Sequence, residues 1–151
     1  MRRREKDESA AELDRIYAEL DALFASASCP RSTRCCRFRE TGRVPYVWPV
    51  EARRALAAIA RRGGRLPRQP VEGACPLLVT GGACAIYPDR PFGCRTFYCA
   101  TATLPDGHRR REVERLARRL RAVSEPVGGE LLPLTTVLAR DFDSTGRRRK
   151  S

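Results

Sequence analysis

Histidine and aromatic residues are scarce in this chain of 151 residues. Aromatic side chains make up 7% of it, and His108 is its one histidine. No Ser-His-Asp set can be built around that histidine, and no phosphate-cradling glycine motif follows a predicted strand, because Gly63-Gly64 and Gly81-Gly82 are isolated pairs. The sequence does not decide whether the chain is an enzyme, and we expect no intrinsic catalytic activity.

Long apolar runs are also missing. No stretch of 18 apolar residues occurs, which excludes a transmembrane helix. The first ten residues, MRRREKDESA, are mostly charged, and no apolar run behind them could serve as the core of a signal peptide. We therefore expect a cytoplasmic protein with no membrane partner.

The seven cysteines lack the two-residue spacing of a zinc knuckle. Four of them lie in CPLLVTGGACAIYPDRPFGCRTFYC, residues 75–99, at loose and uneven intervals. In a reducing cytosol, cysteines at motif positions are more often metal ligands or redox groups than disulfides. Because seven is an odd number and Cys35 directly precedes Cys36, the sequence favours metal binding over a disulfide framework.

Lysine is rare although the chain is strongly basic. Arginine accounts for 28 of the 30 basic residues, a bias that a GC-rich genome also produces, and the net charge is +12. Residues 2–4 and 147–150 contribute seven of these charges, and subtracting them from +12 leaves +5. A basic balance is typical of nucleic-acid-binding proteins, but charge alone does not identify the partner.

Apolar periodicity predicts three helices, from Ser9 to about Ala25, from Pro49 to Arg62 and from Asp106 to about Val123. The segment LLPLTTVLARDF, residues 131–142, fits a strand and a helix equally well. The side chains expected on the apolar faces of the three helices are Leu13, Ile16, Tyr17, Leu20 and Phe24; Ala52, Ala55, Leu56 and Ile59; and Val113, Leu116, Ala117, Leu120 and Val123.

These elements predict a small α-rich single domain, with about three helices around an irregular, metal-stapled, cysteine-rich loop core. The domain should span residues 9–143, and its metal-binding core residues 26–100. Glycine and proline occupy 22 positions, many of them near cysteines, which is why regular structure is not expected in this core. Residues 1–8 and 144–151 are expected to be disordered.

Thiolates are soft donors that bind zinc or iron-sulfur clusters, and four of them complete one site. A metal can gather loops that bury little apolar surface, because its binding free energy becomes folding free energy. All seven cysteines are therefore candidate ligands. Most of the ligands should come from Cys75, Cys84, Cys94 and Cys99, joined or partly replaced by Cys29, Cys35 and Cys36.

The same segment carries the longer pattern C-P-x-L, C-x-I-Y and R-P-x-x-C-R-x-F, in residues 75–78, 84–87 and 90–97. This pattern resembles the signature of the YkgJ-type cysteine-cluster family, whose members are regarded as zinc- or iron-chelating domains. The resemblance covers about residues 26–100. It implies a multi-cysteine metal site and leaves zinc and iron open, while the Cys-Pro steps at Cys29 and Cys75 weakly favour an iron-sulfur centre.

The other hallmark of that family is an upstream C-x-x-C-x-x-C-C cluster, which Cys29, Cys35 and Cys36 match in three of four positions. Ser32 stands where the second cysteine is expected. A full set would supply eight thiols for two four-ligand sites, so seven leave one site short or one thiol spare. His108 is a candidate replacement, although a lone histidine in an arginine-rich stretch is usually solvated.

The adjacent pair Cys35 and Cys36 is expected to diverge, because neighbouring side chains in extended backbone point to opposite sides. The two thiols should then not chelate one ion side by side. One of them would bridge, serve a second site or pack as an inert buried thiol.

Four further residues near the downstream cysteines have predicted roles. Arg90 and Arg95 are expected to donate to the ligating sulfurs and tune the site, or else to be solvated. Tyr87 and Phe97 are expected to pack over the loops.

Together these features predict a metal-binding protein that serves as a structural or redox and metal-handling module for an unknown protein partner. The alternative is a metal-stabilised, basic nucleic-acid-binding protein. In that case the third helix would be the contact surface, because it carries seven arginines against two glutamates.

Overall fold

A computed structural model of the chain describes residues 2–25, 33–67, 72–79, 81–97 and 108–150. These ranges contain six α-helices and four strands of two residues each. The helices are α1 (Arg3–Leu23), α2 (Phe38–Thr41), α3 (Pro49–Arg61), α4 (Phe92–Arg95), α5 (His108–Ser124) and α6 (Leu134–Asp141). The strands are β1 (Tyr46–Val47), β2 (Leu78–Val79), β3 (Ala83–Cys84) and β4 (Leu132–Pro133). The predicted α-rich class is confirmed.

Helices α1, α3 and α5 are the three that apolar periodicity predicts. The bounds of α3 agree with the prediction to within one residue, and α5 ends one residue after its predicted end at Val123. None of the helices in the described ranges is long and apolar enough to cross a membrane.

Helix α1 begins at Arg3 rather than at the predicted Ser9. The amide of Arg2 donates to the Glu5 carboxylate at 2.8 Å, and Arg4 pairs with Glu8 one turn further along at 3.0 Å. Local pairing of opposite charges supports these first turns without apolar burial. The structure is therefore helical in residues 3–8, where the sequence predicts disorder.

One of two apolar clusters joins the three long helices, and we call it the helical core. Four side chains of α1 lie at its centre and are at most 3% exposed. Burial of each contributes about 1.5–3 kcal/mol. The buried residues of the helical core are Leu13, Ile16, Tyr17, Leu20, Val50, Leu116 and Leu120.

The second cluster, which we call the cysteine core, lies between α3, α6 and the short elements. It contains one fully buried cysteine and packs against two half-buried ones, Cys36 and Cys84. Its buried residues are Phe38, Val47, Ala55, Ala58, Ile59, Cys75, Leu77, Ile86, Leu134, Leu138 and Phe142.

The segment at residues 131–142 is a strand followed by a helix. Strand β4 pairs antiparallel with β1, with Tyr46 opposite Pro133 and Val47 opposite Leu132. The amide of Leu134 then donates to the Pro45 carbonyl at 2.8 Å as α6 begins. This pairing places the apolar face of α6 against the cysteine core.

Residues 144–150, where the sequence predicts disorder, fold back onto the domain. The amide of Asp143 donates to the Arg147 carbonyl at 2.8 Å, and the amide of Leu66 donates to the Gly146 carbonyl at 2.9 Å. Gly146 is buried at φ +78°, and a Cβ there would lie 2.8 Å from the Leu66 oxygen. Glycine at this turn therefore permits a hairpin that docks against residue 66.

Candidate metal centre

The described residues include five of the seven predicted ligands, namely Cys35, Cys36, Cys75, Cys84 and Cys94, and all five are free thiols. Cys29, Cys99 and Ser32 lie outside the described residues, and so does the predicted start of the third helix at residue 106. His108 is the first residue of α5. The roles of these residues as ligands stay predictions.

A backbone hydrogen bond joins the upstream and downstream cysteine segments. The amide of Cys75 donates to the Cys36 carbonyl at 2.6 Å, and the amide of Arg39 donates to the Gly73 carbonyl at 3.2 Å. Gly73 has φ +76°, and a Cβ there would lie 2.8 Å from the Arg39 Cβ. Glycine at this position allows the two segments to lie side by side although 38 residues separate Cys36 from Cys75.

Cys75 and Cys84 belong to one hairpin. Strands β2 and β3 pair antiparallel, with Leu78 opposite Cys84 and Val79 opposite Ala83. The amide of Ala85 donates to the Leu77 carbonyl at 2.8 Å and extends this pairing by one step. Strand pairing, together with the turn in which the Leu78 amide donates to the Cys75 carbonyl at 3.0 Å, therefore places the loosely spaced cysteines at 75 and 84 on one hairpin.

Each of the two hairpin cysteines is followed, two residues later in the chain, by a residue whose backbone amide donates to the cysteine sulfur. The Leu77 amide donates to Cys75, and the Ile86 amide donates to Cys84. Leu77 and Ile86 are themselves 1% and 2% exposed. Because these side chains are fixed in the cysteine core, their amides are held towards the sulfurs, where they stabilise thiolate charge.

Burial opposes ionisation of these thiols in the metal-free protein. It raises the pKa of Cys75 to about 12, and negative charge on Cys84 and Cys35 also raises it. Burial likewise raises the pKa of Cys84, against the Ile86 amide and the Arg90 guanidinium, which lower it. Thiols of this kind ionise at neutral pH only when a cation takes the place of the proton.

Cys35 and Cys36 do not lie in extended backbone, so the basis for their predicted divergence was wrong. They end a single 3-10 turn, Arg34–Cys36, which begins after Thr33 at φ +61°. A hydrogen bond from the Cys36 thiol lowers the pKa of Cys35 to about 6, and the Arg90 guanidinium also lowers it. The same hydrogen bond raises the pKa of Cys36. The tight turn therefore couples the titration of the two thiols.

Cys94 joins the group from helix α4. Its amide donates to the Pro91 carbonyl at 3.0 Å. Burial raises the pKa of the Cys94 thiol, and negative charge on Cys75, Cys84 and Cys35 raises it further, which shows that these sulfurs lie within electrostatic range of one another. We call the five described cysteines the thiol cluster.

The thiol cluster is a group of soft donors gathered from three parts of the chain. Among the described residues, no three His, Cys, Asp or Glu side chains are already arranged as a metal-binding group. The donor chemistry nevertheless fits zinc or an iron-sulfur centre, because sulfur ligands select these centres and two of the sulfurs already accept amide hydrogen bonds.

Arg90 lies near the thiols. Its charge lowers the pKa of both Cys35 and Cys84, while its Nη1 donates to the Tyr87 carbonyl at 2.9 Å. The guanidinium also stacks on the Tyr87 ring at 4.0 Å from the ring centroid. Tyr87 is 51% exposed, so the prediction that it packs over the loops was wrong. Phe97 is half-buried, with the Arg43 guanidinium 5.0 Å from its ring centroid.

Arg95 is buried and fastens α4 to α1. Its Nη1 donates to both carboxylate oxygens of Asp21 at 2.8 Å, and its Nε and Nη2 donate to the carbonyls of Arg90 and Pro88 at 2.8 and 2.5 Å. The guanidinium also stacks 4.0 Å from the centroid of the Tyr17 ring. Through these contacts, Arg95 holds the turn that bears Cys94 in place.

Sequence reasoning missed the buried carboxylate of Glu51, which also holds this turn. Its Oε1 accepts hydrogen bonds from the Tyr17 hydroxyl at 2.9 Å and the Phe92 amide at 2.8 Å, and its Oε2 accepts one from the Trp48 amide at 3.0 Å. Burial raises the pKa of Glu51. The sequence signal for this role is the position of Glu51 in the first helical turn after Pro49. A glutamate there commonly accepts a hydrogen bond from the N-cap amide.

The arginine face of α5, predicted as a surface for nucleic acid, is partly paired with α1. Arg119 pairs with Glu12 and with Glu19 at 2.7 Å each, and Arg115 pairs with Glu19 at 3.0 Å. Hydrogen bonds from Arg119 and Arg115 lower the pKa of Glu19. Part of the positive charge of this helix is therefore offset within the fold.

The described residues thus define a small α-rich domain with cysteines gathered on short turns. Comparison of the chain with family models, with curated proteins and with solved structures finds no match. The resemblance to YkgJ-type proteins rests on the motif residues themselves.

Proposed function

We propose that this protein is a cytoplasmic metal-binding protein that holds zinc or an iron-sulfur centre through its cysteines. The observation that carries this proposal is the backbone hydrogen bond that joins the Cys36 and Cys75 segments, beside the hairpin that bears Cys84. Cys29 and Cys99 would complete the ligand set. The motif resemblance supports placing the chain among YkgJ-type proteins and leaves the choice of metal open.

The residues around the thiol cluster have separate tasks in such a site. The amides of Leu77 and Ile86 would stabilise thiolate charge at Cys75 and Cys84. Arg90 would offset part of the negative charge of a four-thiolate centre, which is −2 for zinc. The metal itself would supply a cross-link between segments that share few regular hydrogen bonds.

Two roles follow from the identity of the metal. A zinc centre has no redox chemistry and would act as a structural staple for an interaction module, whereas an iron-sulfur centre would support electron transfer or metal handling. Neither role requires intrinsic catalysis, which agrees with the absence of catalytic motifs in the sequence.

The test is elemental analysis combined with an absorption spectrum of the full chain purified without oxygen. Stoichiometric zinc with no visible absorbance supports the structural role, and visible absorbance that dithionite bleaches supports the redox role. Cys84→Ser should lower metal content, whereas Ser124→Ala, which removes a buried hydroxyl outside the cysteine core, should not. A fully folded protein that contains no metal would contradict the proposal.

A further inference from the structure

Residues 140–150 and Arg65 form a basic surface with two neighbouring clefts. The larger cleft has a volume of about 1200 Å³ and is lined by Arg65, Arg147 and Arg149 together with apolar Leu66, Pro67 and Leu138. The smaller cleft, of about 570 Å³, is lined by four basic residues and one carboxylate, namely Arg140, Arg148, Arg149, Lys150 and Asp141. Because Arg149 lines both clefts, they form one continuous surface, which we call the basic groove.

The backbone that carries the basic groove is held in place. Arg65 and Arg147 form an antiparallel bridge, as do Phe142 and Arg148. The amide of Arg149 donates to the Asp141 carbonyl at 2.7 Å, and its Nε donates to the Ala139 carbonyl at 3.1 Å. A partner would therefore meet arginines on a fixed hairpin, and less ordering entropy would be lost on binding.

The six basic side chains of the groove differ in their pairing from four arginines of α5 that form ion pairs, namely Arg110, Arg115, Arg119 and Arg121. Across the ranges of the chain that the structure describes, none of the six forms an ion pair with a carboxylate. The Asp143 carboxylate accepts hydrogen bonds from the Thr145 amide and hydroxyl and from the Arg147 amide, so it is engaged in the turn. Asp141 and Asp143 also line the clefts and offset two of the six positive charges, so the groove keeps a net charge of 6 − 2 = +4.

We propose that the basic groove binds single-stranded nucleic acid. Six basic side chains along a concave surface match a ligand that carries phosphates at regular intervals, and arginine can bind phosphate through two parallel hydrogen bonds. The apolar wall of the larger cleft offers contact area to unstacked sugars and bases, which a duplex does not expose. This activity is separate from metal binding and does not depend on which metal the thiol cluster holds.

The experiment measures the fluorescence anisotropy of labelled 20-nucleotide single-stranded RNA and DNA with the full chain at several salt concentrations. The groove variant R140Q/R147Q/R148Q/R149Q should bind at least 10-fold more weakly than wild type, and the slope of log K against log salt should fall by about 3, since each phosphate contact contributes about 0.7. The matched control R110Q/R111Q/R118Q/R121Q removes the same charge from α5 and should change affinity less than 3-fold.

Several outcomes would overturn the assignment. These are an equal loss of affinity in the groove and α5 variants, no binding by wild type, and equally tight binding of polyglutamate or of a duplex of the same length. If the quadruple groove variant fails to fold by circular dichroism, the double variant R140Q/R148Q replaces it. These two side chains are exposed, and the double variant should lower the salt slope by about 1.4.

Discussion

The helical core and the cysteine core share helix α3 but are built from different kinds of chain. The helical core joins three helices of 13 to 21 residues, and its side chains recur at helical spacing. The cysteine core takes three of its buried residues from α3, and the other eight come from helices of four to eight residues, a strand of two and the turns between them. A long amphipathic helix contains most of its own hydrogen bonds, whereas the short segments depend on contacts between distant residues.

This difference indicates which of the two cores a bound metal would stabilise more. The helical core buries large aliphatic side chains that stabilise it without help. In the cysteine core, single hydrogen bonds such as Cys75 to Cys36 and Leu134 to Pro45 join segments that have little regular structure of their own. We therefore expect metal binding to stabilise the cysteine core far more than the helical core.

The largest effect should come from Cys75→Ala. Cys75 is buried in the cysteine core, and its loss should remove metal and lower the free energy of unfolding by on the order of 5 kcal/mol or more. Hydrogen exchange followed by mass spectrometry should show faster exchange in residues 33–41 and 72–97, while α1 and α5 stay protected.

Ile16→Ala is the matched change in the helical core, where Ile16 is fully buried. It should cost about 2–5 kcal/mol in a urea unfolding experiment, because a cavity replaces the side chain. The metal content of the folded protein should not change. Loss of metal in this variant, or full retention of metal in Cys75→Ala, would show that the two cores are not distinct.

A smaller effect is expected at the junction of the two cores. Arg95→Met removes a side chain that is 2% exposed and leaves the Pro88 and Arg90 carbonyls without their donor. The expected cost is about 3 kcal/mol, at the low end for a buried pair because Asp21 is 54% exposed. Metal affinity should fall as well, since α4 carries Cys94.

The control for Arg95→Met is Arg15→Met, which removes an exposed arginine of α1 that pairs with Glu12. Its cost should stay below about 1 kcal/mol, as for surface ion pairs in general. Equal costs for the two variants in urea unfolding would mean that Arg95 does not join the cores.

The smallest effect concerns the pH dependence contributed by Glu51. Burial raises its pKa above the ordinary value of 4.5, so between those two values the native state binds more protons than the unfolded state. Stability from this group is thus greatest below pH 4.5 and is lost as the pH rises through the raised pKa. The unfolding free energy of wild type minus that of Glu51→Gln should therefore fall between pH 4 and pH 7. A difference that rises with pH would contradict this sign.

The sequence predicts the helical core well because each of its helices carries a repeated apolar pattern. Leu13, Ile16 and Leu20 recur at helical spacing and are all buried. Helices α2, α4 and α6 were not predicted, since α2 and α4 have four residues each and α6 follows a proline in a segment that also fits a strand. Elements this short contain too few residues to display a period.

The cysteine spacings and the motif predict soft-metal ligands, and this chemistry stays a prediction. The arrangement of the cysteines was not predictable, because the Cys36 and Cys75 segments meet through a backbone hydrogen bond between residues 39 positions apart. The adjacency of Cys35 and Cys36 gave no sign of the 3-10 turn, which depends on the left-handed conformation of Thr33. The pairing of Arg95 with Asp21 links residues 74 positions apart, and no local pattern encodes such a contact.

The amide-to-sulfur turns at Cys75 and Cys84 also define a rule for detecting remote relatives of this chain. The residue directly after the cysteine is proline in one case and alanine in the other. The residue after that must supply both an amide hydrogen and a buried aliphatic side chain, so proline and charged residues are excluded there. A sequence search could require an amide hydrogen and a buried aliphatic side chain two residues after each of two cysteines that lie about nine positions apart. Such a search would separate metal-thiolate hairpins from cysteine pairs that are merely close in sequence.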